Sequence, residues 1–340
     1  PSEEAILAGR TVDRVIRPLF EQRLRRDIQV VVTVLSYDEE NDPEFVGLLG
    51  ASTALGISDI PWSGPVGVVR IARIGEELRV NPGNKDVAEG KARFDSFIAG
   101  SKGKINMVEL GGDDASEKDI VSAFNLAQKE INKLIEFQEK IIKETGKPKA
   151  EVTFPEVNPE LRLAVDKFLE GKLEDAVYQP SKAEHQSKVS DLKEKLMKRL
   201  SESEIDAPEL KAAEFLFEEA IDNLVHKNVL EKEKRPDGRR LDQVRELNGE
   251  ISLFPRNHGS ALFSRGNTQA FAATTLAPPG QEQMIETMET TGKRRFMLHY
   301  NFPPYSVGET GFFRGPGRRD IGHGNLARKA VEPLIPAKES

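Results

Sequence analysis

Apolar residues recur at helical spacing through residues 3–16, and the pattern stops before Pro18, so the chain opens on an amphipathic helix. Residues 27–36 (DIQVVVTVLS) are rich in β-branched side chains and predict a buried strand. A helix follows over 43–57, where Gly and Ala allow close packing, and short strands are expected at 66–74, 77–80, 93–99 and 105–110 between Gly, Pro and Asn turns. Ser116 with Asp119 resembles a capping box, and the helix it opens runs to about residue 144, ahead of Gly146-Lys147-Pro148.

From about residue 156 to residue 230 the strand signals vanish. The stretches 161–169, 190–200 and 208–229 place apolar residues 3.6 apart between charges, which predicts a small all-helical domain with solvated outer faces. It carries no catalytic motif, and the expected role is structural. Lys234 to Arg240 (KRPDGRR) is a turn-rich hinge. Beyond it, strands are expected at 250–254, 260–265, 268–276 and 296–302, with Gly266-Asn267 as a hairpin turn, and then a helix over 320–334 interrupted by Pro333. Residues 14–20 (RVIRPLF) and 329–335 (KAVEPLI) align at a single offset of 315. That echo implies a duplicated core with the helical domain between its copies. The fold class read from this is α+β, divided as 1–150, 151–232 and 233–340.

Composition changes the picture little, and charge changes it more. No apolar run approaches the roughly 20 residues of a membrane span, so no membrane partner is expected. The absence of cysteine excludes disulfides and thiolate metal sites and suits a cytoplasmic location. A start at Pro1, without Met and inside helix-like sequence, points to an internal piece of a longer protein. The net charge of −7 argues at first against nucleic acid, yet residues 151–232 alone hold 19 acidic and 12 basic side chains. The remainder is neutral, and residues 311–330 carry a local charge of +4, which is what an anion would meet.

That basic stretch is also the densest chemical signal. HYNFPPYSVGETG (299–311) runs into FFRGPGRRDIGHG (312–324): a strand, a proline bend, a Gly-rich loop and a helix start. Such a loop lets backbone N–H groups approach an anion. Arg318 and Arg319 offer planar forks for phosphate, with Arg314 nearby, while Phe312 and Phe313 offer rings for unpaired bases. The same residues also suit a structural role, with the phenylalanines in the core, the arginines in a surface salt bridge and His323 as a cap.

HYNFPPYSVGETG with GRRDIGHG is similar, nearly residue for residue, to the second ribonuclease PH-like core of the polynucleotide phosphorylases. His258 to Gln269 (HGSALFSRGNTQ) resembles the same core, and Arg235 to Arg239 (RPDGR) its entry. Gly50-Ala51-Ser52, Ile60-Pro61 and Gly64-Pro65 resemble the first core. The resemblance implies two incomplete ribonuclease PH-like cores joined by the all-α domain. It further implies a polyribonucleotide nucleotidyltransferase that shortens single-stranded RNA from its 3′ end, with inorganic phosphate as the attacking group and nucleoside diphosphates as products. The reaction reverses to polymerisation, and mRNA turnover is its setting. A homotrimeric ring and magnesium also belong to the family.

Carried over residue by residue, Arg318 and Arg319 fall on the family's paired substrate-contacting arginines beside the active site and His323 on the histidine of the same loop, which makes these three the catalytic candidates. On their own chemistry, and not by the resemblance, Phe312, Phe313 and Arg314 join the arginines as RNA- or phosphate-binding residues. The family's metal-binding and acid/base aspartates and its serine-rich phosphate loop fall beyond Ser340. No metal site is therefore assigned here, Asp320 suits an ion-pair partner, and the chain alone is expected to be inactive. A non-catalytic ring subunit that binds RNA or scaffolds an assembly is the alternative, and hydrolysis in place of phosphorolysis is a third reading.

Overall fold

The computed structural model describes residues 2–24, 26–89, 92–152, 158–203, 206–287 and 291–336. Its elements in chain order are α1 (Glu3–Ile16), α2 (Pro43–Ile57), β1 (Gly67–Ile74), β2 (Glu77–Val80), α3 (Asn84–Glu89), β3 (Phe94–Ser101), β4 (Lys104–Gly112) and α4 (Glu117–Thr145). Then come α5 (Pro159–Leu169), α6 (Leu173–Val177), α7 (Lys182–Ser201), α8 (Ala207–Lys232), β5 (Leu247–Ile251), β6 (Gly259–Arg265), β7 (Thr268–Thr274), β8 (Gln283–Glu286), β9 (Thr291–Arg294) and α9 (Arg318–Val331). The class is α+β. The chain forms two compact units: Pro1–Thr153 with Pro278–Ser340, and Phe154–Ala277.

In the first unit an antiparallel sheet of order β2-β1-β3-β4 is sandwiched between helices. The period-two alternation of the strands explains both layers. Val69 and Ile71 of β1, with Phe94 and Ile98 of β3, pack on Ala123, Ala127, Ile131 and Ile135 of α4. Val68, Phe97 and Ala99 turn the other way and meet Val12, Val15 and Ile16 of α1 and Leu48, Ala51 and Leu55 of α2. A Cβ on Gly67 would lie 2.9 Å from the Ile131 carbonyl oxygen, so glycine sets how closely α4 approaches the sheet. The end of α1 is pinned by two side chains: Trp62 Nε1–H donates to the Ile16 carbonyl at 3.0 Å and Asn106 Nδ2–H to that of Val15 at 3.1 Å.

α9 belongs to the same unit and packs against α1. Both helices are 14 residues long, and each passes into a three-residue 3-10 turn, Arg17–Leu19 or Glu332–Leu334. The turns close alike, with Phe20 N–H on the Arg17 carbonyl and Ile335 N–H on that of Glu332, both at 3.1 Å. Every boundary of the pair is related by the offset of 315 read from the sequence.

The second unit buries Leu161, Val165 and Leu169 of α5, Leu192, Leu196 and Leu200 of α7, and Ala213, Leu216 and Phe217 of α8 in one cluster. It also holds the antiparallel ladder β5-β6-β7, turned at Gly266, whose φ is +56°.

Two expected strands are corrected. Residues 27–36 form no ladder; Val31 is 74% and Leu35 92% exposed. β-branched sequence favours a strand only where a partner edge exists, and none reaches this segment among the described residues. It lies instead along α2, where a Cβ on Gly47 would sit 3.2 Å from Val32 Cγ1. Residues 296–302 also lack a ladder, although their burial alternates with period two. The strand expected at 250–254 is displaced to β5, and α3, α6, β8 and β9 were not expected.

Candidate functional site

The sequence of α9 begins Arg-Arg-Asp, and the third of these residues closes the helix start. Asp320 Oδ2 accepts the Gly317 N–H at 2.9 Å, so the carboxylate serves the backbone where an ion pair with the arginines was expected. Arg318 and Arg319, the first two helical residues, are left exposed to solvent. One turn on, Gly322-His323-Gly324 interrupts an otherwise ordinary helix. Glycine inside a helix costs about 1 kcal/mol relative to alanine, so two of them call for a steric reason. A Cβ on Gly322 would lie 2.4 Å from Arg10 Nε, and one on Gly324 would lie 3.2 Å from Tyr300 Cβ. The missing side chains let α1 and residue 300 close in on either side of His323.

The result is a basic cluster built by two helices. His323 is partly buried and lies in the fields of Arg319 from its own helix and of Arg10 and Arg14 from α1. Burial first, then Arg319 and Arg10, hold its imidazole below the usual histidine value; Asp320 pulls the other way, and Arg14 adds the least. The ring of Tyr300 meets that of His323 edge-on at 5.3 Å, and Arg319 Cζ lies 5.4 Å from the centre of the Phe302 ring. A site that holds a histidine neutral among arginines is poised for an anion.

Phe312, Phe313 and Arg314 form a separate group in the preceding loop. The two rings are 84% and 76% exposed, which removes them from any core role. Arg314 Cζ lies 5.9 Å from the Phe312 ring, and Tyr305 lies 6.3 Å from Phe313. His323, the sixth residue of α9, is not a cap.

Arg10 and Arg14 are the functional candidates that sequence reading missed. Their four-residue spacing on α1 puts them on one face, but the helix reads as a core element, and nothing local says that α9 will lie against it. Gly322 was the available signal. For magnesium, the described residues offer no cluster of three or more His, Cys, Asp or Glu side chains. With Asp320 engaged by Gly317, these residues do not fit a divalent ion. No described helix is long and apolar enough to cross a membrane.

Comparison with known proteins places these features. A model described as "3' exoribonuclease family, domain 1" matches residues 1–61 and 243–340, so α1 and α9 both fall inside it. "3' exoribonuclease family, domain 2" matches 64–130, the sheet and the start of α4. "Polyribonucleotide nucleotidyltransferase, RNA binding domain" matches 160–240. That description names RNA binding for the helical stretch whose expected role was structural. The polyribonucleotide nucleotidyltransferases of Caldicellulosiruptor saccharolyticus and Bacillus licheniformis are 42% and 40% identical over the whole of this chain, which covers 48% of each. That of Heliobacterium modesticaldum is 40% identical, with 47% of it covered. The chain thus spans about half the length of the curated relatives it matches. On these matches it belongs to the polyribonucleotide nucleotidyltransferase family, as a homologue built from ribonuclease PH domains 1 and 2 and a helical RNA-binding domain.

Proposed function

We propose that this chain holds and orients single-stranded RNA and phosphate in a phosphorolytic 3′-to-5′ exoribonuclease of the cytoplasm. The single observation that carries the reading is the meeting of Arg10 and Arg14 with Arg319 and His323 across the α1–α9 contact. In phosphorolysis a phosphate oxygen attacks the terminal phosphorus, the bond to the 3′ oxygen breaks, and that oxygen leaves protonated on the shortened strand. The products are a nucleoside diphosphate and RNA one residue shorter. Arginines fixed around the reacting phosphates neutralise their charge without reorganising, which is where most catalysis of phosphoryl transfer arises. Arg318, Arg319 and His323 are the proposed catalytic-loop residues. Phe312, Phe313 and Arg314, with Tyr305 beside them, receive unpaired bases by stacking.

The reading extends to architecture. Residues 1–150 and 233–340 belong to two ribonuclease PH-like cores, with 151–232 between them. The equal lengths and endings of α1 and α9 support the duplication. A homotrimer, magnesium supplied through residues other than those described here, and reverse polymerisation follow from the family. In the helical domain, Phe168 lies under Lys172 Nζ at 4.3 Å and near Arg199 at 5.9 Å, a local basic and aromatic corner suited to RNA despite the acidic surroundings.

Binding of a labelled oligo(A) to the chain, followed against salt, tests the reading. The expected result is a steep salt dependence whose slope falls by about 0.7 for each phosphate contact removed by Arg318→Ala or Arg319→Ala. Binding untouched by both substitutions would take these arginines out of the site and favour a ring subunit without chemistry.

A further inference from the structure

Residues 296–302 lie beside α9 with Phe296, Leu298, Tyr300 and Phe302 turned partly inward and Met297, His299 and Asn301 exposed. Two of the inward rings meet two residues of one helix face. Tyr300 sets its ring against His323 at 84°, and Phe302 underlies the Arg319 guanidinium at 5.4 Å. The two rings are themselves nearly parallel, 8° apart in plane and 6.3 Å between centres. The spacings match for a physical reason. Two residues along an extended segment advance about 6.6 Å, and four residues along a helix advance about 6.0 Å. Residues 300 and 302 therefore mesh with 323 and 319 one to one. Gly324 eases the mesh, because a Cβ there would press on Tyr300 Cβ at 3.2 Å, while Leu298 O and Tyr300 N, both at 3.7 Å, would be in ordinary contact with it.

We infer that Tyr300 and Phe302 are positioning residues of the anion site, Tyr300 seating the His323 imidazole and Phe302 holding the Arg319 guanidinium flat beneath the incoming phosphate. The inference rests on the proposed role of Arg319 and His323 and adds the parts that fix their geometry. An exposed arginine loses rotamer freedom when it grips a ligand, and a ring already under it reduces that loss. The quadrupole of Phe302 favours the charged fork without hydrogen-bonding it, so the donors of Arg319 stay available. Tyr300 covers one side of the imidazole and thereby contributes to the burial that keeps it neutral until an anion arrives.

The test uses the whole chain with Phe302→Leu, Tyr300→Leu and the conservative Phe302→Tyr and Tyr300→Phe. Oligo(A) affinity is measured by anisotropy, the His323 titration by NMR (its resonance identified with His323→Asn), and the melting temperature on the same samples. Phe302→Leu should weaken oligo(A) binding about two- to fivefold, and Phe302→Tyr should restore it. Tyr300→Leu should move the His323 midpoint upward toward the ordinary histidine value, and Tyr300→Phe should leave it in place. A lower melting temperature with unchanged affinity and unchanged midpoint would mean that the rings only pack, and would overturn the inference. If the parent chain binds oligo(A) independently of Arg318 and Arg319, the proposed function fails, while the His323 midpoint in Tyr300→Leu still decides whether Tyr300 seats the imidazole.

Discussion

α1 and α9 share a length, a proline-containing ending and an offset of 315, yet they present different side chains on the same frame. Where α9 begins with Arg318 and Arg319, α1 begins with Glu3 and Glu4, the usual acidic residues of a helix start. Where α1 carries Arg10 and Arg14, α9 carries Asn325 and Lys329. Those two are committed to structure: Asn325 Oδ1 accepts from Arg328 at 3.0 Å, and Lys329 is paired with Glu109. Leu7 of α1 corresponds to Gly322 of α9, and only the glycine admits an arginine from the neighbour. Two helices of matching frame thus differ at a few positions, with both contributing cations to one side of their contact.

The largest effect is expected from the arginine pair of α9. Arg318→Ala with Arg319→Ala should weaken oligo(A) binding about tenfold or more at low salt, since each lost fork gives up a charge-assisted phosphate contact. Lys at both positions should keep most of the affinity, because the charge remains and only the planar geometry is lost. Loss as severe with Lys as with Ala would show that shape, not charge, dominates binding.

Most of the scaffold behind this site was legible in the sequence, because it rests on local rules. The limits of α1 and α2, the Ser116 cap of α4 and the proline break at the end of α9 all follow from spacing, capping and the missing N–H of proline. Residues 27–36 misled because a β-branched run announces a strand but cannot announce a partner. α3 and α6, six and five residues long, are too short to show a helical period. Within the site, Arg318, Arg319 and His323 stood out in one continuous motif. Arg10 and Arg14 did not, since their importance depends on a contact between residues more than 300 positions apart. The two glycines flanking His323 were visible, but what they make room for was not.

A smaller effect should follow from Gly322→Ala. The atoms nearest the added Cβ all belong to the far end of the Arg10 side chain, which swings away at little cost to folding. Oligo(A) binding should fall severalfold as Arg10 leaves the cluster, while the melting temperature changes by no more than a few degrees. A large loss of stability with wild-type binding would show that the close approach matters for packing alone.

The smallest effect concerns pH. His323 in the free chain is held below its ordinary value, so it is neutral at pH 8, and an anion among the arginines favours its charged form. Binding then takes up a proton in the window between the free and the raised bound value, and affinity rises as pH falls through the latter. Between pH 8 and pH 6 the gain should be about two- to threefold, and His323→Asn should abolish it. The same gain in the Asn variant would assign the proton to another group.

The central claim, that the arginines of α1 and of α9 form one site, is tested most directly by a double-mutant cycle on oligo(A) binding. One arm is Arg10→Gln with Arg14→Gln, the other Arg318→Ala with Arg319→Ala, and the third variant combines all four. A single site predicts coupling: once either pair is gone, removing the other costs less, and the combined loss falls short of the product of the separate losses by at least about twofold. Losses that multiply within error would mean that the two helices bind RNA independently, and would contradict the account.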